Sequence, residues 1–482
     1  MINFGRAFNI IGRLVIIEGL FITLCIPVAA YHGDGGLTAL CITAVALFAT
    51  GVTLWFVTRM AERSIGKREA FIIVSLVWII FSLFGALPFW LSGAVPSFTD
   101  AFFETISGFT TTGSSVLDDI ESIPKGLLLW RSMTQWMGGM GIIVLSLAIL
   151  PVLGIGGMQL FVAEVPGPTK EKVHPRVMQT AQRLWGIYII LTLIQVILLY
   201  LGDMTIFDSV CHSFTTMATG GYSTKQASIA YFDSAYIQYV ITLFMFLAGT
   251  SFVLSYFAMH LRLNKVWKNE EFRFYLGLIA LFTGIITAGL ILSGNVPAED
   301  AFRAAVFQVV SIITTTGFVT FDYLMWAPAL SILVFVMMFL GGCAGSTGGG
   351  IKIIRVLLVV KNSYLEIRRL IYPSAVIPVK LDNRPVSQHI VGNVLAFVFI
   401  YVLITIISVA VIASMGYDMD TSFGAAASTL GNIGPGMGLV GPAHNYAHFP
   451  VFGKWFLSLL MLLGRLELFT LLVLCAPSFW RK

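Results

Sequence analysis

Long apolar runs alternate with shorter polar connections over the whole chain. About ten runs approach the roughly 20 residues that a helix needs to cross the hydrocarbon of a bilayer. They predict spanning helices near residues 8–30, 37–59, 71–93, 127–154, 184–202, 236–261, 274–294, 325–360, 390–414 and 452–476. After residue 60, short basic connections alternate with longer ones that hold a semi-apolar segment ending in glycine and threonine. This pattern predicts a polytopic membrane protein.

The longer connections contain one motif four times. Aligned on a glycine, the copies read AFFETISGFTTTGSSV (Gly113), SVCHSFTTMATGGYST (Gly220), AVFQVVSIITTTGFVT (Gly317) and SFGAAASTLGNIGPGM (Gly434). A serine stands six positions before the glycine in three copies, at Ser107, Ser311 and Ser428. Each copy has about a dozen helix-compatible residues, often opened by an acid or another capping residue, and the helix breaks at the glycine.

The repeated motif predicts the fold class and the division of the chain. We expect an all-α polytopic membrane protein with four pseudo-fourfold repeats of helix, pore helix, loop and helix, similar to a potassium channel. A two-helix hairpin precedes the repeats. The predicted units are the N-terminal hairpin at 1–60, pore repeat 1 at 61–165, pore repeat 2 at 166–262, pore repeat 3 at 263–365 and pore repeat 4 at 366–482.

Composition and charge agree with this picture. Of the 482 residues, 57% are hydrophobic and 11% charged, which excludes a soluble globule. Most of the 29 lysines and arginines lie within 1–13, 59–68, 170–183, 262–273, 352–384 and 481–482. Because basic residues of short loops stay in the cytoplasm, both termini are predicted to be cytoplasmic. The opposite connections are acidic, and an acidic mouth concentrates cations, although acids that merely tolerate the outer face are an alternative.

The loops suit one kind of chemistry. Non-helical backbone is tolerated at membrane depth only where it is buried in protein or lines a wet cavity. Four copies can form a ring, and a ring of carbonyl oxygens replaces the hydration shell of a cation. Oxygen ligands suit an alkali ion better than a transition metal, and no carboxylate lies among the aligned loop residues. The alternative, close helix packing by Thr and Gly, does not explain four aligned copies.

A second unusual stretch, FLGGCAGSTGGGIKIIR at 339–355, lies within an apolar segment too long for one straight span. Each glycine costs a helix about 1 kcal/mol relative to alanine, so the helix is expected to break here. The spacing fits neither type of glycine-rich phosphate loop, and no strand precedes it. Ser346 lacks the frame of a nucleophile elbow. No set of residues in the chain indicates an enzyme.

The sequence resembles the Trk/Ktr/HKT superfamily of potassium transporters, and within it the bacterial TrkH subunits. The resemblance lies in the four loop motifs, the cytoplasmic placement of the basic residues, the N-terminal hairpin and the Gly-rich break. The resemblance implies potassium uptake across a bacterial inner membrane, through a selectivity filter that binds K⁺. The filter residues it implies are Thr111, Thr112, Gly113, Ala218, Thr219, Gly220, Thr315, Thr316, Gly317, Asn432, Ile433 and Gly434. In this superfamily a glycine in all four loops accompanies potassium selectivity, and a serine in the first loop accompanies sodium transport in some plant relatives, so Gly113 favours potassium.

The resemblance also implies a gate under the filter. Its residues are Gly341, Gly342, Gly345, Ser346, Thr347, Gly348, Gly349, Gly350, Lys352 and Arg465. Arg465 lies within the last predicted span, where charges are rare and usually face a cavity or a partner. A pair with Glu467 on the same helix is disfavoured by the spacing of two residues. A flexible kink in place of the gate is the alternative, and only a gate predicts that shortening the loop raises conductance.

The partners that the resemblance implies are a second copy of the chain and a TrkA-like cytosolic ring of nucleotide-binding regulatory subunits. The basic connections offer a docking surface, but they also sit against anionic lipid. The chain itself has no nucleotide site, cofactor motif or nucleic-acid motif, and K⁺ enters as the transported ion. A secondary transporter of the same fold, coupled to protons or sodium and also passing sodium, remains the alternative.

Overall fold

The computed structural model describes residues 3–60, 66–144, 173–294, 297–375 and 377–481. The second half of the predicted span 127–154 and the connection that follows it lie outside these residues. The described part is mostly helical, with one two-stranded antiparallel hairpin. The predicted fold class is therefore confirmed at the level of a helical protein with several apolar spans.

Two helices form the N-terminal hairpin, α1 (Phe4–His32) and α2 (Leu37–Val57). The side chain of Asn3 accepts the Arg6 amide at the start of α1, and Gly33, at φ 61°, ends it in a left-handed conformation. Where the two helices cross, a Cβ added to Gly51 would lie 2.8 Å from the Gly12 carbonyl oxygen. Close approach therefore depends on glycine, as in many membrane helix pairs.

The helices of the first half follow in chain order. They are α3 (Lys67–Leu91), α4 (Phe98–Phe109), α5 (Lys125–Val144), α6 (Val173–Leu201), α7 (Ile206–Met217), α8 (Ala235–Gly249), α9 (Phe252–Met259) and α10 (Leu263–Lys268). A 3₁₀ turn at Ser228–Tyr231 lies between α7 and α8. The short helices α4 and α7 are buried over most of their length and begin at the hydroxyl caps Ser97 and Thr205.

The second half repeats this order of long and short elements. Its helices are α11 (Glu270–Gly294), α12 (Ala298–Ile313), α13 (Pro328–Met337), α14 (Ile353–Ile371), α15 (Gln388–Ala413), α16 (Met419–Gly431), α17 (Val451–Arg465), α18 (Phe469–Cys475) and α19 (Pro477–Trp480). Strands β1 (Lys380–Leu381) and β2 (Arg384–Pro385) pair antiparallel between α14 and α15. Two 3₁₀ turns, Tyr323–Met325 and Gly438–Val440, complete it.

Six of the described helices are long and apolar enough to cross a bilayer: α1, α2, α3, α6, α11 and α15. Large apolar side chains such as Leu24, Val45 and Leu193 stand exposed on them. Singly exposed apolar residues are common in soluble proteins, but whole exposed apolar faces mark a surface that water does not cover. These faces match the lipid-facing surface of an integral membrane protein.

Two predicted spans are bent. The segment 236–261 consists of α8 and α9, with a bend of 111° between them, and the segment 452–476 consists of α17 and α18, with a bend of 117°. The prediction of one continuous helix in each place was wrong. Thr250 is in an extended conformation, and Glu467 and Leu468 have φ angles of 57° and 51°. These angles end a helix whatever the hydropathy of the segment, because they leave the right-handed helical region.

Candidate ion pathway

Each of the four short helices α4, α7, α12 and α16 continues into a loop of the same conformation. We call these loops 1 to 4 (residues 110–116, 218–224, 314–320 and 432–437). One residue of each is left-handed without being glycine: Thr111, Thr219, Thr315 and Asn432, with φ between 51° and 58°. Two residues later stands a glycine with φ between 77° and 103°: Gly113, Gly221, Gly317 and Gly434. Such backbone is costly for threonine and persists only where the surroundings impose it.

The register of loop 2 differs from the predicted one. Equivalent amides donate back to the short helix in every copy: Thr112 to Ser107 (2.8 Å), Gly220 to Thr215 (2.9 Å), Thr316 to Ser311 (2.8 Å) and Ile433 to Ser428 (3.0 Å). Gly220 therefore corresponds to Thr112, and the glycine equivalent to Gly113 is Gly221. Ala218 is the C-cap of α7 and corresponds to Thr110, the C-cap of α4, one step before the left-handed residue Thr219. Thr215 places a hydroxyl six positions before Gly221, as the serines of the other three copies do before their glycines. This spacing was the signal in the sequence for the correct register.

The four glycines make the loops neighbours in a closed cycle. A Cβ added to Gly113 would lie 2.2 Å from the Gly220 carbonyl oxygen, and one added to Gly221 would lie 2.0 Å from that of Thr316. A Cβ on Gly317 would lie 1.9 Å from the Ile433 oxygen, and one on Gly434 would lie 2.9 Å from the Thr112 oxygen. Each loop thus packs its glycine against the next loop, and the fourth meets the first. Any side chain at these positions opens the cycle.

Most carbonyl oxygens around this cycle have no donor. Within the described residues, no protein group donates a hydrogen bond to the carbonyls of Thr111, Thr112, Gly113, Thr219, Gly221, Thr315, Thr316, Gly317, Asn432 and Ile433. The threonines among them are fully buried. A buried carbonyl without a partner costs free energy, so these oxygens suit a ligand that supplies positive charge.

Loop 4, which lacks a threonine beside its glycine, uses the Asn432 side chain instead. Its amide nitrogen donates to the Thr112 hydroxyl of loop 1 and to the Met461 carbonyl, both at 2.9 Å. The Gly434 carbonyl accepts from the hydroxyls of Ser428 (2.5 Å), Tyr446 (3.0 Å) and Ser114 (3.2 Å). The loop that departs most from the motif is therefore fixed to its neighbour by side chains.

Loops 1 and 2 share a buried ion pair. Glu104 on α4 accepts from Arg131 Nε (2.7 Å), from the Ser115 hydroxyl (3.0 Å) and from the Val116 amide (2.9 Å). Arg131 on α5 also donates to the Ser223 carbonyl of loop 2 at 2.9 Å. The structure makes it the brace between two loops.

Removing one partner of this pair is expected to destabilise the protein. In a Glu104→Ala variant Arg131 stays buried without a countercharge, which costs about 3–5 kcal/mol. Thermal unfolding of the detergent-solubilised protein measures the loss. The matched control is Glu299→Ala, which breaks the half-exposed pair with Arg303 and costs less than about 1 kcal/mol. Equal melting temperatures for the two variants would contradict the bracing role.

The glycines of the cycle open into a cavity of about 130 Å³. It is lined by Ser114, Ser223, Lys225, His444 and Tyr446 together with Gly113, Gly221, Gly317 and Gly434. Burial raises the pKa of the Tyr446 phenol, so this group remains protonated and can donate to Gly434. The Tyr323 phenol, whose pKa burial also raises, donates to the Gly436 carbonyl at 2.7 Å. Two phenols thus hold loop 4 at the cavity wall.

The opposite side of the cycle is covered by the Gly-rich loop (residues 338–352), between α13 and α14. Its two ends are joined, because Leu340 pairs with Ile351 and the Gly341 amide donates to the Ile351 carbonyl at 2.8 Å. The Cys343 amide donates to the Gly249 carbonyl at 2.9 Å, at the bend between α8 and α9. Gly345 and Gly350 have φ of 75° and 62°. The predicted helix break is therefore a closed loop inserted between helices.

The Gly-rich loop touches the other loops directly. The Gly349 amide donates to the Thr315 hydroxyl at 2.6 Å, and the Thr347 hydroxyl donates to the Met217 carbonyl at 3.0 Å. The Thr219 hydroxyl lies 3.3 Å from that of Thr347. Ser346 and Thr347 are buried. The Gly-rich loop therefore lies directly against loops 2 and 3.

Arg465, the last residue of α17, supports the Gly-rich loop. Its guanidinium donates to the Thr347 carbonyl (2.7 Å) and to the Gly138 carbonyl of α5 (3.2 Å). It is 2% exposed, and no carboxylate of the described chain forms an ion pair with it. The Glu467 carboxylate pairs with Arg355 instead. Within the described residues, Arg465 is therefore a buried positive charge balanced by two carbonyl dipoles and by the Trp78 ring, whose centroid lies 5.9 Å away.

Lys352, the residue that precedes α14, adds a second cation. Its ammonium donates to the Gly348 carbonyl within the Gly-rich loop. Arg355, one turn further, holds Glu467 at the bend between α17 and α18 and lies 3.9 Å over the Phe397 ring. The structure thus brings all predicted residues of this group, from Gly341 to Arg465, to one place beneath the four loops.

The geometry has close relatives among known proteins. The sequence profile of the TrkH family, described as a cation transport protein, matches residues 37–482. The Trk system potassium uptake protein TrkH of Escherichia coli K12 is 43% identical and that of Salmonella typhimurium 42% identical, each over 100% of both chains. The crystal structure of the potassium transporter TrkH from Vibrio parahaemolyticus superposes with a TM-score of 0.92 at 38% identity and covers 100% of both chains. The chain therefore belongs to the TrkH family of cation transport proteins.

Proposed function

We propose that this protein takes up potassium across the bacterial cytoplasmic membrane through a selectivity filter formed by loops 1 to 4. The observation that carries the proposal is the closed cycle of buried carbonyls without donors. Such oxygens can replace the water around a cation. The relatives named as potassium uptake proteins over their full length support potassium as the ion.

The chemistry of the cycle favours a monovalent ion. It offers backbone carbonyls and threonine hydroxyls and no carboxylate, whereas sites for divalent cations usually include Asp or Glu. The filter residues in this proposal are Thr111, Thr112, Gly113, Thr219, Gly220, Gly221, Thr315, Thr316, Gly317, Asn432, Ile433 and Gly434. Because the Gly220 carbonyl already accepts from Gln135 at 2.7 Å, loop 2 contributes fewer free oxygens than the others.

The Gly-rich loop is the gate in this proposal. It lies directly against two filter loops, through Thr315 and Thr219, and its own contacts are hydrogen bonds that can break and re-form. Two buried cations, Lys352 and Arg465, lie beside it and oppose the passage of a positive ion. The pathway is closed when the Gly-rich loop lies against the filter loops, and it opens when the Gly-rich loop is displaced from them.

The surroundings of the pore complete the proposal. The acidic connections and the cavity above Gly113 face the outside, and both termini and the basic connections face the cytoplasm, following the side preference of lysine and arginine. Two copies form a homodimer in the membrane. A cytosolic ring of nucleotide-binding subunits docks on the basic connections, in keeping with relatives that are named as parts of a Trk system.

Growth of a bacterium that lacks its own potassium uptake systems tests the proposed function. Expression of this chain is expected to restore growth at low external potassium, with membrane insertion checked by immunoblot. Failure to grow despite correctly inserted protein would refute potassium uptake. If uptake required an imposed proton or sodium gradient, the protein would be a coupled transporter and not a gated pore.

A Gly113→Ser variant tests the filter. Its Cβ would lie 2.2 Å from the Gly220 oxygen, so the carbonyls of loops 1 and 2 must move apart. We expect the preference for potassium over sodium to fall about tenfold, the equivalent of 1.4 kcal/mol, in fluxes measured with proteoliposomes. The control is Gly277→Ser, on the open face of α11 with no atom within 4 Å of its Cβ. An unchanged ion preference in the Gly113 variant would argue against the filter.

A further inference from the structure

A buried carboxylate holds the Gly-rich loop from the cytoplasmic side. Glu271, in the first turn of α11, is 3% exposed, and its Oε1 accepts the Ala344 amide at 2.6 Å. Ala344 lies at the tip of the loop, next to Cys343, whose amide is held by the Gly249 carbonyl. A buried amide needs a partner, and here a carboxylate from a separate helix provides it.

The start of α11 is in turn bound to the cytoplasmic hairpin of β1 and β2. Asp382 accepts the Glu270 amide at 2.8 Å and the side-chain amide of Asn269 at 3.5 Å. Lys361 on α14 joins the same group, because its ammonium donates to the Glu270 carboxylate and to the Lys380 carbonyl. Glu270 and Glu271 are adjacent, so the hairpin and the Gly-rich loop are fixed to neighbouring residues of one helix end.

The conformation of the hairpin turn places the Asp382 carboxylate at the start of α11. Asp382 and Asn383 have φ of 46° and 62°, the left-handed pair of a two-residue hairpin turn. Aspartate and asparagine tolerate this conformation better than other side chains except glycine. The Asp382 side chain thus leaves a rigid turn and caps the amide end of α11.

Apolar packing connects the same parts independently. Ala344 of the Gly-rich loop shares one buried cluster with the hairpin segment and with the start of α14: Ile354, Leu357, Leu358, Val379, Leu381 and Val386. Packed clusters of this kind move as units, since protein interiors leave little free space. A shift of the hairpin therefore reaches the Gly-rich loop by two routes, one polar and one apolar.

We propose that Glu271 is a positioning residue that latches the gate shut, and that the hairpin of Asp382 is the lever through which an event on the cytoplasmic surface releases it. The inference rests on the proposed gate function. It names the contact that must break, the Glu271 to Ala344 hydrogen bond, and the surface element that controls it. Because β1 and β2 lie in the basic connection 352–384, a cytosolic partner that binds there can pull directly on the lever.

Three variants in proteoliposomes test the latch and the lever. Glu271→Ala removes the acceptor of the Ala344 amide and is expected to raise potassium flux about tenfold. The reason is that one charge-assisted hydrogen bond is lost from the closed state and none is lost from the open state. Glu271→Gln keeps a side-chain oxygen at the same reach and should stay within about threefold of the wild type. Asp382→Gly keeps the left-handed turn, removes both hydrogen bonds to α11 and should raise flux.

The combination of variants separates the latch from general loosening. If hairpin and latch act in series, Glu271→Ala with Asp382→Gly should give no more flux than Glu271→Ala alone, because the contact is already lost. The matched control is Glu299→Ala, which breaks a half-exposed pair with Arg303 at the start of α12, away from this path, and should leave flux unchanged. The potassium to sodium ratio should not change in any of these five variants, since none of the substitutions lies in loops 1 to 4.

The outcomes distinguish this inference from the proposed function. Wild-type protein that passes no potassium would refute the pore itself. A conducting wild type with wild-type flux in Glu271→Ala would overturn the latch, and fully multiplicative effects in the double variant would overturn the coupling to the hairpin. If Glu271→Ala does not insert in the membrane, Asp382→Gly alone decides, because unchanged flux in that surface variant overturns the lever.

Discussion

Alanine at Gly221 is expected to reduce potassium uptake about a hundredfold, the equivalent of roughly 3 kcal/mol. The new Cβ would lie 2.0 Å from the Thr316 carbonyl oxygen, and the residue would have to keep a φ of 77°. Both effects act on backbone, which cannot swing away, and each costs about 1–3 kcal/mol. Rubidium uptake per inserted protein measures the change.

Alanine at the neighbouring Gly220 is the control for that result. There the Cβ would meet the Gln135 side-chain amide at 2.4 Å, and the backbone is not left-handed. The Gln135 side chain can turn away at the loss of two hydrogen bonds, to the Gly220 carbonyl and from the Tyr222 amide, worth about 1 kcal/mol each. We expect uptake to fall less than about thirtyfold. If Gly220→Ala were the more damaging change, the register of loop 2 derived from the structure would be wrong.

Glutamine at Arg465 is expected to raise potassium flux about tenfold. The substitution removes a buried charge that has no carboxylate partner and that opposes a cation by about 1–2 kcal/mol at this depth. It also loosens the Thr347 carbonyl, which Arg465 holds at 2.7 Å. The measurement is single-channel or liposome flux at constant potassium gradient, with the protein amount fixed.

A lysine at the same position distinguishes the effect of the positive charge from the effect of the hydrogen bonds that Arg465 donates. Arg465→Lys keeps the positive charge but cannot reach Thr347 and Gly138 together, because an ammonium lacks the fork of a guanidinium. Flux that stays low in the lysine variant and rises in the glutamine variant assigns the effect to charge. Arg303→Gln, at a half-exposed pair far from the Gly-rich loop, is the control. Wild-type flux in Arg465→Gln would contradict the barrier.

Local patterns predicted the elements well. Runs of apolar residues marked α1, α2, α3, α6, α11 and α15, because a helix that crosses lipid must be apolar over its whole length. The glycines of 341–350 marked a real break, since so many glycines cannot remain helical. The motif around Thr111 and Gly113 recurred because the same backbone conformation is needed in every loop.

The register of loop 2 and the two bent spans were predicted wrongly because both depend on contacts between residues distant in sequence. The loop 2 register moved by one residue because two adjacent glycines, Gly220 and Gly221, fit the motif, and only the neighbouring Thr316 carbonyl excludes a Cβ at the second. The bends at Thr250 and Glu467 lie in runs as apolar as a straight helix. They are stabilised by partners distant in sequence, such as Gly345 for the start of α9 and Arg355 for Glu467.

Polar residues within the apolar segments differ in whether they have a hydrogen-bond partner. Glu104 accepts from Arg131, Ser115 and Val116. Glu18 and Gln308 are as deeply buried, but within the described residues their side-chain oxygens have no hydrogen-bond partner. A sequence shows that a polar group lies in an apolar segment, and only packing shows whether a donor comes within reach.

By itself the sequence determined that this protein spans a membrane, that it carries four copies of one loop motif and that a glycine-rich break interrupts the apolar segment 325–360. These features follow from local composition and spacing, which the chain carries at each position. Only the tertiary structure decided that the four loops meet in a cycle, that Gly221 is the second-loop glycine and that Arg465 and Glu271 hold the Gly-rich loop. Those decisions depend on which backbone oxygens lie within bonding distance, and such distances arise only when helices far apart in sequence pack together.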